Sequence, residues 1–306
     1  MTYLAFIGMS LVWSFSWFAM KLQVDSIVAV EVSLFYRFFA VACLMTILCV
    51  ATKKRLKPFK TEYKNFALIA LTNFSLNFVI AYHTAKFIPS GMIAVIFSLS
   101  IITSEIFKAI FDGKKIEPKI ILCSLIGFCG LTLFIFPTLK FDNYSSNINF
   151  IIGIILAMVM MIVFSFGNYL VEKNKRQNHT PLFTSIAFGA IISSCYLIII
   201  NYALGNKFII DYSAKYILSL IYQIIFASII AFLCFYYLIQ KVGAVKANYT
   251  ALVYPTIALI VSSFFENFKF TTLGNIGLLL IIIAIALEFS SHKFFTKIFN
   301  VSRTRI

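Results

Sequence analysis

Three ionisable side chains, Arg37, Glu105 and Lys108, fall inside long apolar runs. Burying a charge near the middle of a bilayer costs at least about 2.5 kcal/mol, so such groups mark solute or ion pathways unless something neutralises them. Glu105 and Lys108 are three residues apart, a spacing that puts both on one helical face and allows an ion pair. Lys108 is about one turn from the end of its run and can also reach for the interface, which leaves Glu105 as a candidate proton acceptor. Both readings stand at this point. Arg37 lies about seven residues inside its run, or some 10 Å at roughly 1.5 Å per residue. It is either an anion contact in a cavity or a structural arginine held by backbone carbonyls or reaching outward.

Neutral polar groups follow the same logic. Asn73 and Asn77 are four apart and share a helical face. Amides in hydrocarbon need partners, which are other helices or a bound solute. Ser100, Asn168, Tyr222 with Gln223, and Asn248 with Tyr249 and Tyr254 are comparable candidates for lining a cavity. Trp13 and Trp17, again four apart, form an interfacial belt if shallow and a cavity wall if deep. Pro255 leaves one backbone carbonyl without its usual donor, a hinge or a coordinating oxygen. His83 sits near the end of its run and reads as an interfacial polar residue. Catalysis has little support: His83, His179 and His292 are scattered, and neither His-Glu-x-x-His nor a phosphate-cradling Gly-rich loop occurs. The six cysteines lie in apolar runs without C-x-x-C spacing, so no zinc or redox motif is indicated. No metal or cofactor is expected.

The elements that must hold these groups are membrane spans. Of 306 residues, 61% are hydrophobic and only 12% charged, against about 25% charged in soluble domains. Mean hydropathy is +0.95. The formal charge of +15 could suggest nucleic-acid binding, but the basic residues sit in short gaps between apolar runs, so no nucleic-acid partner is expected. The partners expected are the lipid bilayer and a small solute. A spanning helix needs about 20 apolar residues. Ten segments qualify, near 3–20, 29–51, 65–85, 90–111, 119–138, 148–171, 181–203, 215–240, 244–265 and 271–291, with no extramembrane domain between them. The first lacks a preceding basic region and a clear cleavage site, so it reads as a retained helix.

Loop charges orient the chain. Of the 26 Lys and Arg, 18 fall on the side of the termini and six (Lys21, Lys86, Lys140, Lys207, Lys215, Lys269) on the other, with Arg37 and Lys108 inside spans. That bias places both termini in the cytoplasm. The chain divides into halves, 1–144 and 145–306, of five spans each. Five is odd, so the second half enters the membrane inverted, a plan that puts a solute site at the repeat interface. Two echoes support the duplication. Trp13-Ser14-Phe15-Ser16 recurs as Phe164-Ser165-Phe166-Gly167, and spans 4 and 9 end in Phe111-Asp112 and Phe265-Glu266.

Trp13, Ser14, Phe15 and Lys21 in span 1, Arg37 in span 2, and Pro255 with Phe265-Glu266 in span 9 carry a family resemblance over nearly the whole chain. The sequence resembles the EamA-like ten-helix branch of the drug/metabolite transporter superfamily. It departs in span 4, where Ser98-Leu99-Ser100-Ile101 stands in place of a proline and Asp112-Gly113-Lys114 blurs a Gly-Glu. The last span of each half keeps part of the family's glycine pattern, Gly127 and Gly130 in one and Gly274 and Gly277 in the other. The resemblance implies an all-α integral membrane protein of the cytoplasmic (inner) membrane. It implies a secondary carrier, without nucleotide-hydrolysing machinery, working by alternating access. Members export amino acids or other metabolites, or take up compounds such as S-adenosylmethionine. A proton is the candidate coupling ion through Glu105, and the oligomeric state is open between monomer and homodimer. A membrane enzyme or a channel is the rival class, but neither clustered catalytic groups nor a filter loop or charge ring is visible.

Overall fold

The computed structural model describes residues 2–55, 60–113, 118–141, 148–178, 180–266 and 268–291. Its helices are α1 Thr2–Val24, α2 Val30–Ala51, α3 Tyr63–Thr84, α4 Ser90–Phe111, α5 Pro118–Phe141, α6 Ile148–Asn178, α7 Leu182–Ala203, α8 Ala214–Val242, α9 Tyr254–Phe265 and α10 Thr272–Ser291. No β-strand occurs among the described residues. Seven helices, α1–α4 and α6–α8, are long and apolar enough to cross a membrane, and the apolar stretches of α5, α9 and α10 are shorter. The molecule is a multi-pass helical membrane protein. The basic tail with His292, Lys293, Lys297, Arg303 and Arg305, the loop residues Lys57, Lys114, Lys115 and His179, and the side chains of Lys119, Lys140, Lys246 and Tyr249 lie outside the described residues.

Four of the apolar runs are not regular. In α3 the stretch Ala70–Leu76 and in α8 the stretch Gln223–Ile230 are wound as wider π turns. Helix α4 breaks at Leu99, between Ser90–Ser98 and Ser100–Phe111. The ninth run, expected to be continuous from 244, instead opens with a helical turn, Ala244–Ala247, and a 3₁₀ turn, Asn248–Leu252, before α9 proper. Irregular backbone at membrane depth frees polar groups that must be satisfied by protein or by a cavity.

The packing of α1 illustrates how the bundle sorts its residues. Leu4, Ile7, Leu11 and Phe15 recur every three or four residues and are exposed, the surface expected against lipid tails. Met9, Trp13, Trp17 and Met20 occupy the opposite side and are buried. Lipid tails are as apolar as these side chains, so the helices gain little by hydrophobic exclusion and must approach closely. Where α5 meets α10, a Cβ on Gly277 would lie 2.4 Å from the Phe134 nitrogen and 2.5 Å from the Gly130 oxygen. That crossing therefore exists only with glycine at the contact. The most extensive packings pair α1 with α8, α3 with α6, α2 with α7, α4 with the whole ninth run (residues 244–265) and α5 with α10. Counting α6–α10 as a second series of five, exchange of the two series maps this set of pairs onto itself. The π turns of α3 and α8 and the breaks of α4 and the ninth run correspond under the same exchange.

Candidate functional site

A cavity lies where these irregular helices meet. It is lined by Trp13, Ser16, Trp17 and Met20 of α1, Arg37 of α2, Asn77, Phe78 and Ala81 of α3, Phe97 of α4, Met160 and Phe164 of α6, and Gln223 of α8. About 450 Å³ between these side chains, open solvent at the mouth included, is free of atoms, of which the centres of water-sized molecules can occupy about 40 Å³. One water needs roughly 10–15 Å³ on the latter measure, so this conformation admits a few waters.

The walls are aromatic. Trp13 meets the rings of Phe164, Phe232, Phe235 and Tyr254 at centroid distances of 5.1 to 6.2 Å, and Trp17 meets Phe97 at 5.4 Å and Tyr254 at 6.4 Å. The two tryptophans are thus deep wall residues and not an interfacial belt. Trp13 Nε1 donates to the Ala227 carbonyl at 3.3 Å, an oxygen within the π turn of α8. From that same turn Gln223 donates to the Ser16 carbonyl at 2.7 Å, and just before it the Tyr222 hydroxyl donates to the Val12 carbonyl at 2.8 Å. The wide turn and α1 therefore hold one another.

Arg37 is 2% exposed. Its Nε donates to the Ser228 hydroxyl at 2.8 Å, and its guanidinium carbon stands 4.4 Å from the centre of the Phe78 ring. No acidic side chain pairs with it among the described residues. A desolvated cation over a ring recovers about 2 kcal/mol. Backbone carbonyls, one of the two sequence expectations, are not what holds it.

The remaining polar candidates separate from the cavity. Asn73 donates to Asn168 Oδ1 at 2.9 Å, Asn168 to Asn248 Oδ1 at 3.4 Å, and Asn248 to the Ser104 hydroxyl at 2.7 Å. This chain of amides ties α3, α6, the 3₁₀ turn before α9, and α4. Beside it Ser165 Oγ donates to the Ser100 carbonyl at 3.2 Å and lies 2.5 Å from the Thr103 hydroxyl. Gly167 makes room for the chain: a Cβ there would lie 1.8 Å from Asn73 Oδ1. Pro255 sits in the first turn of α9, where its missing N–H costs no helical hydrogen bond, next to the 3₁₀ turn.

The spacing allowed Lys108 either to pair with Glu105 on its own helix or to reach outward. Lys108 Nζ faces Glu172 of α6 at 3.8 Å. Glu172 is anchored by the Ala244 N–H at 2.8 Å, so it offers a fixed carboxylate across the helix interface. His83, expected as a lone interfacial residue, meets Glu31 Oε1 at 2.7 Å.

Both ends of the bundle carry polar clusters that sequence reading missed. At the lysine-rich end Glu62 is fully buried, paired with Arg55 at 2.9 Å and accepting from the Thr180 hydroxyl. At the lysine-poor end Glu266 accepts the Ser90 N–H at 2.8 Å and the Ser90 hydroxyl. Burial pushes the Glu266 carboxyl above its usual range, opposed by Ser90 and by Lys21. Arg55 is seven residues from Glu62, but Thr180 and, for Glu266, Ser90 are more than a hundred residues away, so only the fold shows these clusters whole.

The EamA-like transporter family matches residues 1–136 and 151–289. An uncharacterized transporter of Buchnera aphidicola subsp. Schlechtendalia chinensis is 25% identical over 85% of this chain and 84% of its own. The uncharacterized transporter YvbV of Bacillus subtilis is 23% identical over 76% and 74%, and protein PagO of Salmonella typhimurium 22% over 92% and 90%. A crystal structure superposes with a TM-score of 0.68 over 94% of this chain and 96% of that one, at 13% identity, a likeness of fold alone. On a match that covers most of its length, the chain belongs to the EamA-like transporter family.

Proposed function

We propose that this transporter is a secondary carrier of ten transmembrane helices, built as two inverted five-helix repeats (1–144 and 145–306). It moves a small metabolite, an amino acid or related compound, out across the cytoplasmic membrane by alternating access, with both termini in the cytoplasm. The observation that carries the reading is the central cavity, bounded by helices of both halves where α3, α4 and α8 lose regular winding. Carriers bind solutes near the midplane at such discontinuities. The symmetric helix pairings and the two matched segments of the family support the repeat. In the cycle, the Glu62 cluster and the amide chain would close the lysine-rich end while the cavity stands toward the lysine-poor one. The cavity as seen would be a nearly closed step, because only a few waters fit.

The reading is tested in proteoliposomes. A carrier gives saturable flux and counterflow of a labelled solute. A channel passes current without saturating, and an enzyme converts its substrate without moving it. Flux that rises linearly with solute, without counterflow, would overturn the proposal.

A further inference from the structure

The polar atoms around the cavity are incompletely satisfied, and the pattern has a sign. Trp17 Nε1, Asn77 Oδ1 and Gln223 Oε1 are buried without a hydrogen-bond partner in the protein, on residues 9%, 4% and 1% exposed. Leaving such a group unpaired costs about 1–3 kcal/mol each. The one ionisable side chain among the lining residues is Arg37, which gives its Nε to Ser228 and has no acidic partner among the described residues. A cationic solute would meet this positive charge in a poorly screened interior, where like charges repel strongly. The planar guanidinium fork matches the oxygens of a carboxylate or phosphate. The two orphan carbonyl oxygens accept N–H or O–H donors, and the remaining walls are rings.

We infer that the cavity binds a small organic anion whose acidic group rests on Arg37, whose N–H or O–H donors face Asn77 and Gln223, and whose apolar body lies between Trp13, Trp17 and Phe97. Trp17 Nε1 supplies a further donor to the anion. This inference rests on the carrier reading above and adds the charge of the solute to it. Carboxylate and phosphate oxygens satisfy the same fork, and the experiment separates them.

Proteoliposomes of the full chain are loaded with a total water-soluble bacterial metabolite extract, and the solutes that leave are identified by mass spectrometry against protein-free vesicles. The expected result is selective loss of solutes carrying one acidic group and at least one N–H or O–H donor. Sorting them by acid type shows whether the group is a carboxylate or a phosphate. Arg37→Gln should slow that loss on the order of 10–100-fold at low solute, as expected for a hydrogen bond to a charged group, and Arg37→Lys should fall between. Both tryptophans of the chain line the cavity, so their emission should shift when such an anion is added to wild type in detergent and not when an amine lacking the acid is added. Loss confined to cations or to neutral solutes without an acidic group would overturn the inference and leave the carrier reading standing. So would unchanged loss from Arg37→Gln. If no solute leaves faster than from protein-free vesicles, the carrier reading falls and the inference with it. Should Arg37→Gln fail to fold, the charge sorting in wild type and Arg37→Lys decides alone.

Discussion

Replacing Gly167 by alanine should loosen the centre of the bundle. The new Cβ would stand 1.8 Å from Asn73 Oδ1 and 2.5 Å from Thr72 Oγ1, both on α3. Real Cβ contacts essentially never fall below 3.0 Å, so the Asn73 amide must retreat by more than 1 Å. Its hydrogen bond to Asn168, now 2.9 Å, cannot survive that move, and the bond to the Tyr236 hydroxyl at 3.4 Å has no slack. Overpacking costs about 1–3 kcal/mol, and each interhelical hydrogen bond in a membrane about 0.6 kcal/mol. A loss of roughly 2–4 kcal/mol follows. At about 2 °C per kcal/mol, that lowers the midpoint of thermal unfolding in detergent by some 4–8 °C. Gly8→Ala is the control: nothing lies within 4 Å of its Cβ, and alanine's higher helix propensity should leave it neutral or slightly stabilising. Equal midpoints for the two variants would refute the account of Gly167.

Three further outcomes are expected. If Glu105 accepts the coupling proton, Glu105→Gln removes the pH dependence of net flux while counterflow persists, and an unchanged pH profile rules that role out. Glu266 has its pKa raised by burial, so its contribution to stability is full below the ordinary carboxylate value of about 4.3 and is lost as pH rises through the folded value. Thermal unfolding from about pH 4 to 7 should show that loss in wild type and not in Glu266→Gln, and a loss in the opposite direction would contradict it. Glu62→Ala should cost about 3 kcal/mol, the low end for breaking a buried pair because Arg55 keeps 24% of its side chain exposed, and Glu62→Gln less because Thr180 keeps an acceptor. Equal unfolding midpoints for these two variants and wild type would contradict the cluster's role.

Residue type and simple spacing went far along this chain. Trp13 and Trp17 share a helical face in the sequence and share the cavity wall in the fold, and Arg37 announces itself as a charge within an apolar run. Asn73 and Asn77 show where spacing fails. Regular α-winding would set both on one face, but Ala70–Leu76 winds as a π turn, which changes the phase. Asn77 reaches the cavity, and Asn73 turns to Asn168. No residue type in that stretch signals the wider turn, which packs against α6 and α7. Glu105 and Lys108 show the second limit. A local i, i+3 rule is worth only about 0.2–0.5 kcal/mol and does not foresee that Lys108 also meets a fixed carboxylate on another helix, Glu172. The split in the ninth run leaves no mark in the sequence, because Asn248–Leu252 is too short and too mixed to announce a 3₁₀ turn.

The five dominant helix pairings all join one half of the chain to the other. A fragment ending after α5 would consequently reach the bilayer with its best contact surfaces facing fatty-acid chains. On this pairing, the first five helices complete their packing only once the later five are in the membrane. A gene cut in two between α5 and α6 would yield products that are unstable apart and recover when made together, like the subunits of an obligate heterodimer.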